Sequence, residues 1–168
     1  MIAMLETDRL FITEALESDI YPIIEMEQDK ENSDFVWSGT YDEHHQEIHS
    51  PEFKLFVFKK KEQTNNIIGF ALRKLDFKSE IFELRRIVVT EKGLGYGKEV
   101  MRALLKYAFE SCAVNRFWLD VYPDNIIGIH LYESLGLHKD GILRQNYKSS
   151  RGYLDQIVYS MLKSEYFN

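Results

Sequence analysis

Three glycines stand at alternate positions in the segment Lys92-Gly93-Leu94-Gly95-Tyr96-Gly97-Lys98. The preceding residues 82–89 are rich in β-branched and apolar residues, which is typical of a strand. Over residues 100–112, apolar side chains recur at helical spacing. A strand, a glycine loop and a helix in this order point the first free N–H groups of the helix, at the positive end of its dipole, into the loop. The segment therefore predicts a binding site for an anion.

Two common phosphate-binding loops do not fit this spacing. A Walker loop is Gly-x-x-x-x-Gly-Lys-[Ser/Thr], whereas three residues separate Gly93 from Gly97 here, and Glu99 stands where the hydroxyl would bind magnesium. A dinucleotide loop is Gly-x-Gly-x-x-Gly, and this segment offers Gly-x-Gly-x-Gly. A nucleotide-binding protein is therefore disfavoured.

A second group of polar residues follows residues 116–122, which have the composition of a strand. Asn125 is a suitable N-cap for a helix that Gly136 would close. At about 100° per residue, Asn125, Gly128 and Tyr132 share one face of this helix. The pattern predicts that the amide and the phenol point in a similar direction, although a half-buried aromatic would give the same spacing.

Both segments resemble signatures of the GNAT superfamily of acyl-CoA-dependent N-acetyltransferases. The loop fits the pyrophosphate pattern [Gln/Arg]-x-x-Gly-x-[Gly/Ala], with Lys92 in the basic position and Gly95 and Gly97 in the small ones. Residues 125–137 resemble Asn-x-x-Ala-x-x-Leu-Tyr-x-x-x-Gly-Phe, with glycine and leucine in place of the usual alanine and phenylalanine. Residues 7–13 and 140–162 resemble the ribosomal-protein N-acetyltransferase branch, except that Thr13 replaces an arginine of its N-terminal motif.

The resemblance implies an α/β (α+β) GNAT fold over a single domain, residues 1–168, with a mixed, mostly antiparallel sheet of about seven strands and about four helices. Composition agrees, because residues 53–60 and 67–77 read as a hairpin joined at 62–66, and a turn at 78–79 leads into the strand of residues 82–89. A bulge that separates this last strand from the next is typical of the family but cannot be read from the sequence.

The implied activity is transfer of an acetyl group from acetyl-CoA to a primary amine by direct attack in a ternary complex. The acceptor would be a protein N-terminus or a small amine such as a polyamine. A non-catalytic acyl-CoA-binding module is the alternative, and Tyr132 favours the enzyme because a pure binder needs no phenol beside the sulfur. Cys112 lies on the apolar stripe of the helix after the loop, so we expect it in the core and not in a covalent intermediate.

The resemblance assigns contacts with the cofactor to Ile87, Val88, Val89, Lys92, Gly93, Gly95, Tyr96, Gly97, Lys98, Asn125 and Tyr132. Extended backbone at residues 87–89 would pair with the pantetheine arm and supply an oxyanion donor. Tyr132 is the candidate acid for the departing thiolate. Glu83 is the candidate base, although a surface glutamate or a water chain would also fit.

Residues 27–52 are rich in acidic side chains, and we predict a loop and short helix that are solvated and face the acceptor. His45 and His49 stand one helical turn apart, but Glu47 is displaced from its position in the His-Glu-x-x-His zinc motif, so no metal is predicted.

The whole-chain composition limits the remaining classes. A net charge of −6 argues against nucleic acid as a partner and favours a cationic or neutral substrate. The sequence has one cysteine, no long apolar run and no signal-peptide pattern at its start, so we expect a soluble, cytoplasmic protein without a membrane partner. A homodimer stays open.

Overall fold

The computed structural model describes residues 4–168. Its strands form a single eight-stranded sheet in the order β1-β2-β3-β4-β5-β6-β8-β7. The strands are β1 Leu5–Glu6, β2 Leu10–Glu14, β3 Phe53–Lys60, β4 Gln63–Asp76, β5 Ile81–Val89, β6 Arg116–Val121, β7 His138–Ser149 and β8 Gly152–Leu162. The helices are α1 Ile20–Gln28, α2 Tyr41–His49, α3 Tyr96–Lys106, α4 Ile126–Ser134 and α5 Lys163–Tyr166. A 3-10 turn, Glu17–Asp19, precedes α1, and a π-helical turn, Tyr107–Ser111, extends α3.

The sheet buries both of its faces, which explains why β3 reads as a continuous apolar run. Phe56 and Phe58 pack into the larger core, which α3 covers. Leu55 and Val57 point to the opposite face and pack into a second core beneath α1. Cys112 is partly buried against the larger core, as expected from its position on the apolar stripe.

The pairing of β5 with β6 is parallel and short, whereas every other pairing in the described sheet is antiparallel. It stops after Glu83, which lies opposite Trp118. On the other side of β5, Arg86 lies opposite Leu72 and Leu84 opposite Arg73, so Arg85 is an extra residue in the ladder. Such a bulge bends its strand. The remainder of β5 therefore diverges from β6 and opens a cleft in the middle of the sheet, as is typical of the GNAT fold.

The structure confirms the predicted fold class, with eight strands in place of about seven. One turn differs from its prediction. Lys60 pairs with Gln63, so the β3–β4 hairpin turns at residues 61–62 and not at 62–66. Residues 64–66, whose polar composition suggested the turn, form an irregularity within β4 instead. Within residues 4–168, no helix is long and apolar enough to cross a membrane.

Candidate active site

The divergence of β5 and β6 opens a cavity of about 440 Å³, closed on one side by the loop between α1 and α2. Seven of the predicted site residues line it, namely Glu83, Ile87, Val88, Val89, Lys92, Asn125 and Tyr132. The other five predicted residues lie beyond the end of β5, in the glycine loop and the first turn of α3, and are Gly93, Gly95, Tyr96, Gly97 and Lys98. The fold thus places the predicted residues along one continuous path from the sheet to the helix.

The glycine loop is shaped by two left-handed residues. Gly93 has φ +77° and Gly95, the N-cap of α3, has φ +83°, a backbone region that glycine occupies without strain. Gly97 differs, because a Cβ there would meet only Leu131 Cδ2 at 3.5 Å, an ordinary contact. Packing of the protein therefore does not require glycine at position 97.

The N-terminus of α3 is free to bind a ligand. No side chain in the described part of the chain caps it, and the first N–H groups of a helix have no partner within the helix. The Tyr96 side chain is buried in the larger core, so only its backbone can contribute to such a site. This uncapped, glycine-lined helix start fits the pyrophosphate of coenzyme A.

Arg9 lies beside this loop and was not singled out by the sequence patterns as a site residue. Its guanidinium carbon is 4.1 Å from the centroid of the Tyr96 ring, and its Nε donates to Glu99 Oε1 at 2.8 Å. The same carboxylate accepts a hydrogen bond from Thr7. These contacts fix the first turn of α3 against the β1–β2 turn. Arg9 belongs to the N-terminal motif of residues 7–13, and this position in the motif was the signal that could have identified its contact with α3.

Lys92 connects the end of β5 with the loop that covers the cleft. Its Nζ donates to the backbone oxygen of Val89 at 3.0 Å and to Asn32 Oδ1 at 2.8 Å. The covering loop is also held from the β7–β8 turn, where Arg151 donates to the backbone oxygen of Asp34 at 2.6 Å and to Asp124 Oδ2 at 2.5 Å. The loop is therefore anchored at both sides of the cleft.

Asn125 caps α4 as predicted, because its Oδ1 accepts from the Gly128 N–H at 3.0 Å. A Cβ at position 128 would lie 2.8 Å from Asn125 Nδ2. The glycine that replaces the usual alanine therefore gives the capping side chain its space. With the carbonyl oxygen occupied, the amide nitrogen is the part of Asn125 left to bind a ligand.

Tyr132 is buried at the wall of the cleft and is 7% exposed. Burial, together with the smaller effect of the nearby Asp120 charge, raises the pKa of its phenol to about 12. The hydroxyl consequently keeps its proton at neutral pH. No side-chain hydrogen bond joins this hydroxyl to another residue of the range 4–168, so its proton is available to a bound molecule.

Two carboxyl groups lie near the point where β5 and β6 separate. Glu83 is partly buried at the last position of β5 that pairs with β6, with Arg85 Nε 3.5 Å from its carboxylate. Asp120 lies on β6 and accepts from Gln156 Nε2 at 3.1 Å. Its side chain is exposed at the wall of the cleft, where the surrounding residues displace part of its water. This desolvation, together with the charge of Glu83, raises the pKa of Asp120 to about 6.

The sequence patterns missed Asp120. A single carboxylate within the largely apolar strand Arg116–Val121 was the available signal. That signal does not distinguish a residue facing solvent from one facing a cleft, because the separation of β5 from β6 depends on a bulge in another strand.

The acceptor side differs from the solvated acidic segment that we predicted. Glu27 and His44 are fully buried, Glu47 is nearly so, and the three form a network with Arg86 of β5. His44 Nε2 lies 2.8 Å from Glu27 and His44 Nδ1 lies 2.6 Å from Glu47. Arg86 donates to Glu27 at 2.8 Å and to Glu47 at 2.9 Å. These four residues are called the buried ion network below.

The charges of the buried ion network compensate one another. Burial by itself lowers the pKa of His44, but its hydrogen bonds to Glu27 and Glu47 outweigh this effect and raise the pKa to about 9. The network thus holds two cations and two carboxylates. Two acidic residues of the predicted segment, Glu27 on α1 and Glu47 on α2, are therefore structural, and they were misread because helical spacing alone did not show which faces of these helices are buried.

The bulged sheet, the uncapped glycine-lined helix and the phenol beside the cleft define the class of acyl-CoA-dependent acetyltransferases. Residues 15–137 match the model of the Acetyltransferase (GNAT) family, and the chain belongs to this family. Acetyl-CoA is the cofactor of GNAT acetyltransferases, in agreement with the predicted cofactor.

Two similar sequences extend this result. Over 74 residues, the chain is 36% identical to the uncharacterized N-acetyltransferase p20 of Bacillus licheniformis, covering 44% of the chain and 42% of p20. The chain thus spans less than half the length of that relative. It is 26% identical to the spermidine N(1)-acetyltransferase of Vibrio cholerae over 123 residues, 72% of the chain and 70% of the relative.

A solved structure supports the fold. The spermidine N-acetyltransferase of Vibrio cholerae, in complex with CoA and spermine, superimposes with a TM-score of 0.83 over 95% of this chain and 98% of its own, at 21% identity. The predicted GNAT assignment is therefore confirmed. The finer assignment to the ribosomal-protein branch stays a prediction.

Proposed function

We propose that this protein transfers an acetyl group from acetyl-CoA to a primary amine of a polyamine such as spermidine. The observation that carries the proposal is the pair of carboxyl groups, Glu83 and Asp120, on the wall of a cleft that also presents the protonated phenol of Tyr132. This combination provides a proton acceptor and a proton donor in one cavity.

The chain has separate places for the parts of the cofactor. The free N–H groups at the start of α3 would hold the pyrophosphate. The edge of residues 87–89 that faces away from β4 and is not paired with β6 would bind the pantetheine arm in the manner of an added strand, and one of its N–H groups would stabilise the oxyanion. Asn125 Nδ2 would add a hydrogen bond from α4. Bound acetyl-CoA supplies the thioester that is attacked.

The two carboxyl groups suit the removal of a proton from the acceptor. An alkyl amine with a pKa of about 10 is protonated at neutral pH and must lose a proton before it attacks. A base works best when its pKa lies near the operating pH, and the pKa of Asp120, about 6, meets that condition. Asp120 therefore joins Glu83 as a candidate base. Tyr132 would then protonate the departing thiolate.

A polycationic acceptor matches the charge of the cleft. Glu31, Glu83 and Asp120 line it. Of the three cations in the lining, Lys92 and Arg86 are engaged in the hydrogen bonds described above, and Arg85 is paired with Glu83. The similarity to the spermidine N(1)-acetyltransferase of Vibrio cholerae supports the same acceptor class. We infer direct attack in a ternary complex, since Cys112 packs against the core and lies outside the cleft lining.

A thiol-release assay with acetyl-CoA tests the proposal. Spermidine and spermine should give turnover with a higher kcat/KM than peptides with free N-termini. Higher kcat/KM with the peptides would assign the protein to N-terminal acetylation. Binding of acetyl-CoA without turnover for any amine would leave a non-catalytic binding module.

A further inference from the structure

A cluster of potential metal ligands lies on the outer surface of α2, apart from the cleft. It comprises Glu17, from the 3-10 turn before α1, and His45 and His49, one helical turn apart on α2. The Nε2 atom of each histidine is 3.0 Å from the same oxygen, Glu17 Oε1. The three ligand atoms all lie within 4.8 Å of one another. They are called the Glu17–His45–His49 cluster below.

The two separations of 3.0 Å between nitrogen and oxygen are close to those of ligands around one metal ion. With bonds of about 2.0–2.1 Å, two ligands of a tetrahedral zinc ion are about 3.3 Å apart. The side chains of Glu17, His45 and His49 are 54%, 42% and 56% exposed, so small rotations can adjust the geometry and water can complete the coordination. The cluster therefore needs little rearrangement to accept an ion.

The scaffold restricts how far the two histidines can move. Thr40 caps α2 by accepting from the Glu43 N–H at 3.2 Å. On the opposite face of the same helix, His44 and Glu47 are fixed by the buried ion network. The outer face of α2 is therefore held on a well-anchored helix, which lowers the cost of organising the ligands.

We propose that the Glu17–His45–His49 cluster binds a divalent transition-metal ion of the Zn²⁺ type through both Nε2 atoms and the Glu17 carboxylate. The displaced Glu47 argued against a zinc motif in the sequence, but the third ligand comes from another element of the fold. Imidazole ligands favour Zn²⁺, Ni²⁺ and Cu²⁺ over Mg²⁺ and Ca²⁺, which prefer oxygen. A bound ion would join α2 to the start of α1.

Calorimetric titration of tag-free, chelator-treated protein with Zn²⁺ tests this site. The wild type should bind one equivalent, and Zn²⁺ should raise its Tm in a concentration-dependent manner. His49→Ala and Glu17→Gln should each weaken binding by about tenfold or more. Co²⁺ bound to the wild type should show visible d–d bands of low-symmetry coordination, which His45→Gln should remove.

His138→Ala is the matched control. His138 is an exposed histidine whose Nδ1 lies 3.0 Å from Asp140, a pair without a third ligand of the required type among the described residues. This variant should bind Zn²⁺ like the wild type. The proposal is overturned if the wild type binds no stoichiometric Zn²⁺, or if His138→Ala weakens binding as much as His49→Ala does. Circular dichroism should confirm that each variant is folded.

Discussion

Tyr132 combines deep burial with a hydroxyl that makes no side-chain hydrogen bond to the rest of the described chain. Removing that hydroxyl in Tyr132→Phe should therefore leave the stability and the affinity for CoA nearly unchanged. Turnover should fall by about 10²-fold or more, the scale expected for a positioned general acid. Single-turnover kinetics with spermidine would measure the loss, and a wild-type rate would remove Tyr132 from the mechanism.

Asp120 should produce a pH dependence that Glu83 does not. Asp120 can accept a proton only when its carboxyl group is ionised. The value of kcat/KM should therefore rise with pH through the pKa of Asp120, about 6. Asp120→Asn should lower the rate and abolish this acidic limb. Glu83→Gln, the matched variant, should retain the limb but move it to lower pH, because the Glu83 charge contributes to the raised pKa.

The same pKa predicts an effect on stability. The folded-state pKa of Asp120 is raised above its reference value of 3.8, so the ionised carboxylate costs stability as pH rises through about 6. Asp120→Asn should consequently be no less stable than the wild type at pH 8, while losing activity. Thermal unfolding measured at pH 5 and pH 8 would check this, and a large destabilisation at pH 8 would indicate a structural role.

Substitutions of the glycines can separate an effect on folding from an effect on CoA binding. Gly97→Val should fold normally, because a Cβ there meets only an ordinary contact and valine costs a helix no more than glycine does. Its affinity for CoA should fall because the side chain enters the space of the pyrophosphate. Calorimetry would measure this affinity. Gly141→Val, where a Cβ meets nothing within 4 Å, is the control and should bind CoA normally.

Gly95→Val is a poorer probe of the same loop, although the sequence suggests it first. Its φ of +83° would strain a valine and destabilise the start of α3. A loss of CoA binding could then come from this strain and not from contact with the pyrophosphate.

The buried ion network links α1, α2 and β5, and it should make the stability of these elements pH-dependent. The pKa of His44 is raised from 6.5 to about 9. The stabilisation is fully present below pH 6.5 and is lost as pH rises through 9, by up to about 3 kcal/mol. Urea unfolding between pH 6.5 and 9.5 should show a falling free energy. A flat profile would mean that His44 is neutral in the folded protein.

At the scale of helices and strands, the sequence predicted which elements exist, because strand composition and helical spacing are local properties. It did not predict the extra residue Arg85, since a bulge depends on the register of the neighbouring strand. It also did not predict the network around His44, because its members come from three elements that are distant in the chain. The motif residues lie along the cleft and the glycine loop, whereas the position of Asp120 and the burial within the acceptor segment were not predicted, and the roles of the motif residues stay a prediction.

For the whole molecule, the short β5–β6 pairing divides the sheet into two antiparallel halves that are joined by three residue pairs. One half contains β1–β5 and the other contains β6–β8, and over residues 4–168 the chain crosses between them once, through α3. A chain break at residues 112–115 would therefore separate two fragments, each with a continuous antiparallel sheet. Because the cleft lies along their boundary, mixing the fragments should restore it only on reassociation, and coenzyme A, whose proposed site includes residues of both fragments, should promote their reassociation as a molecular glue.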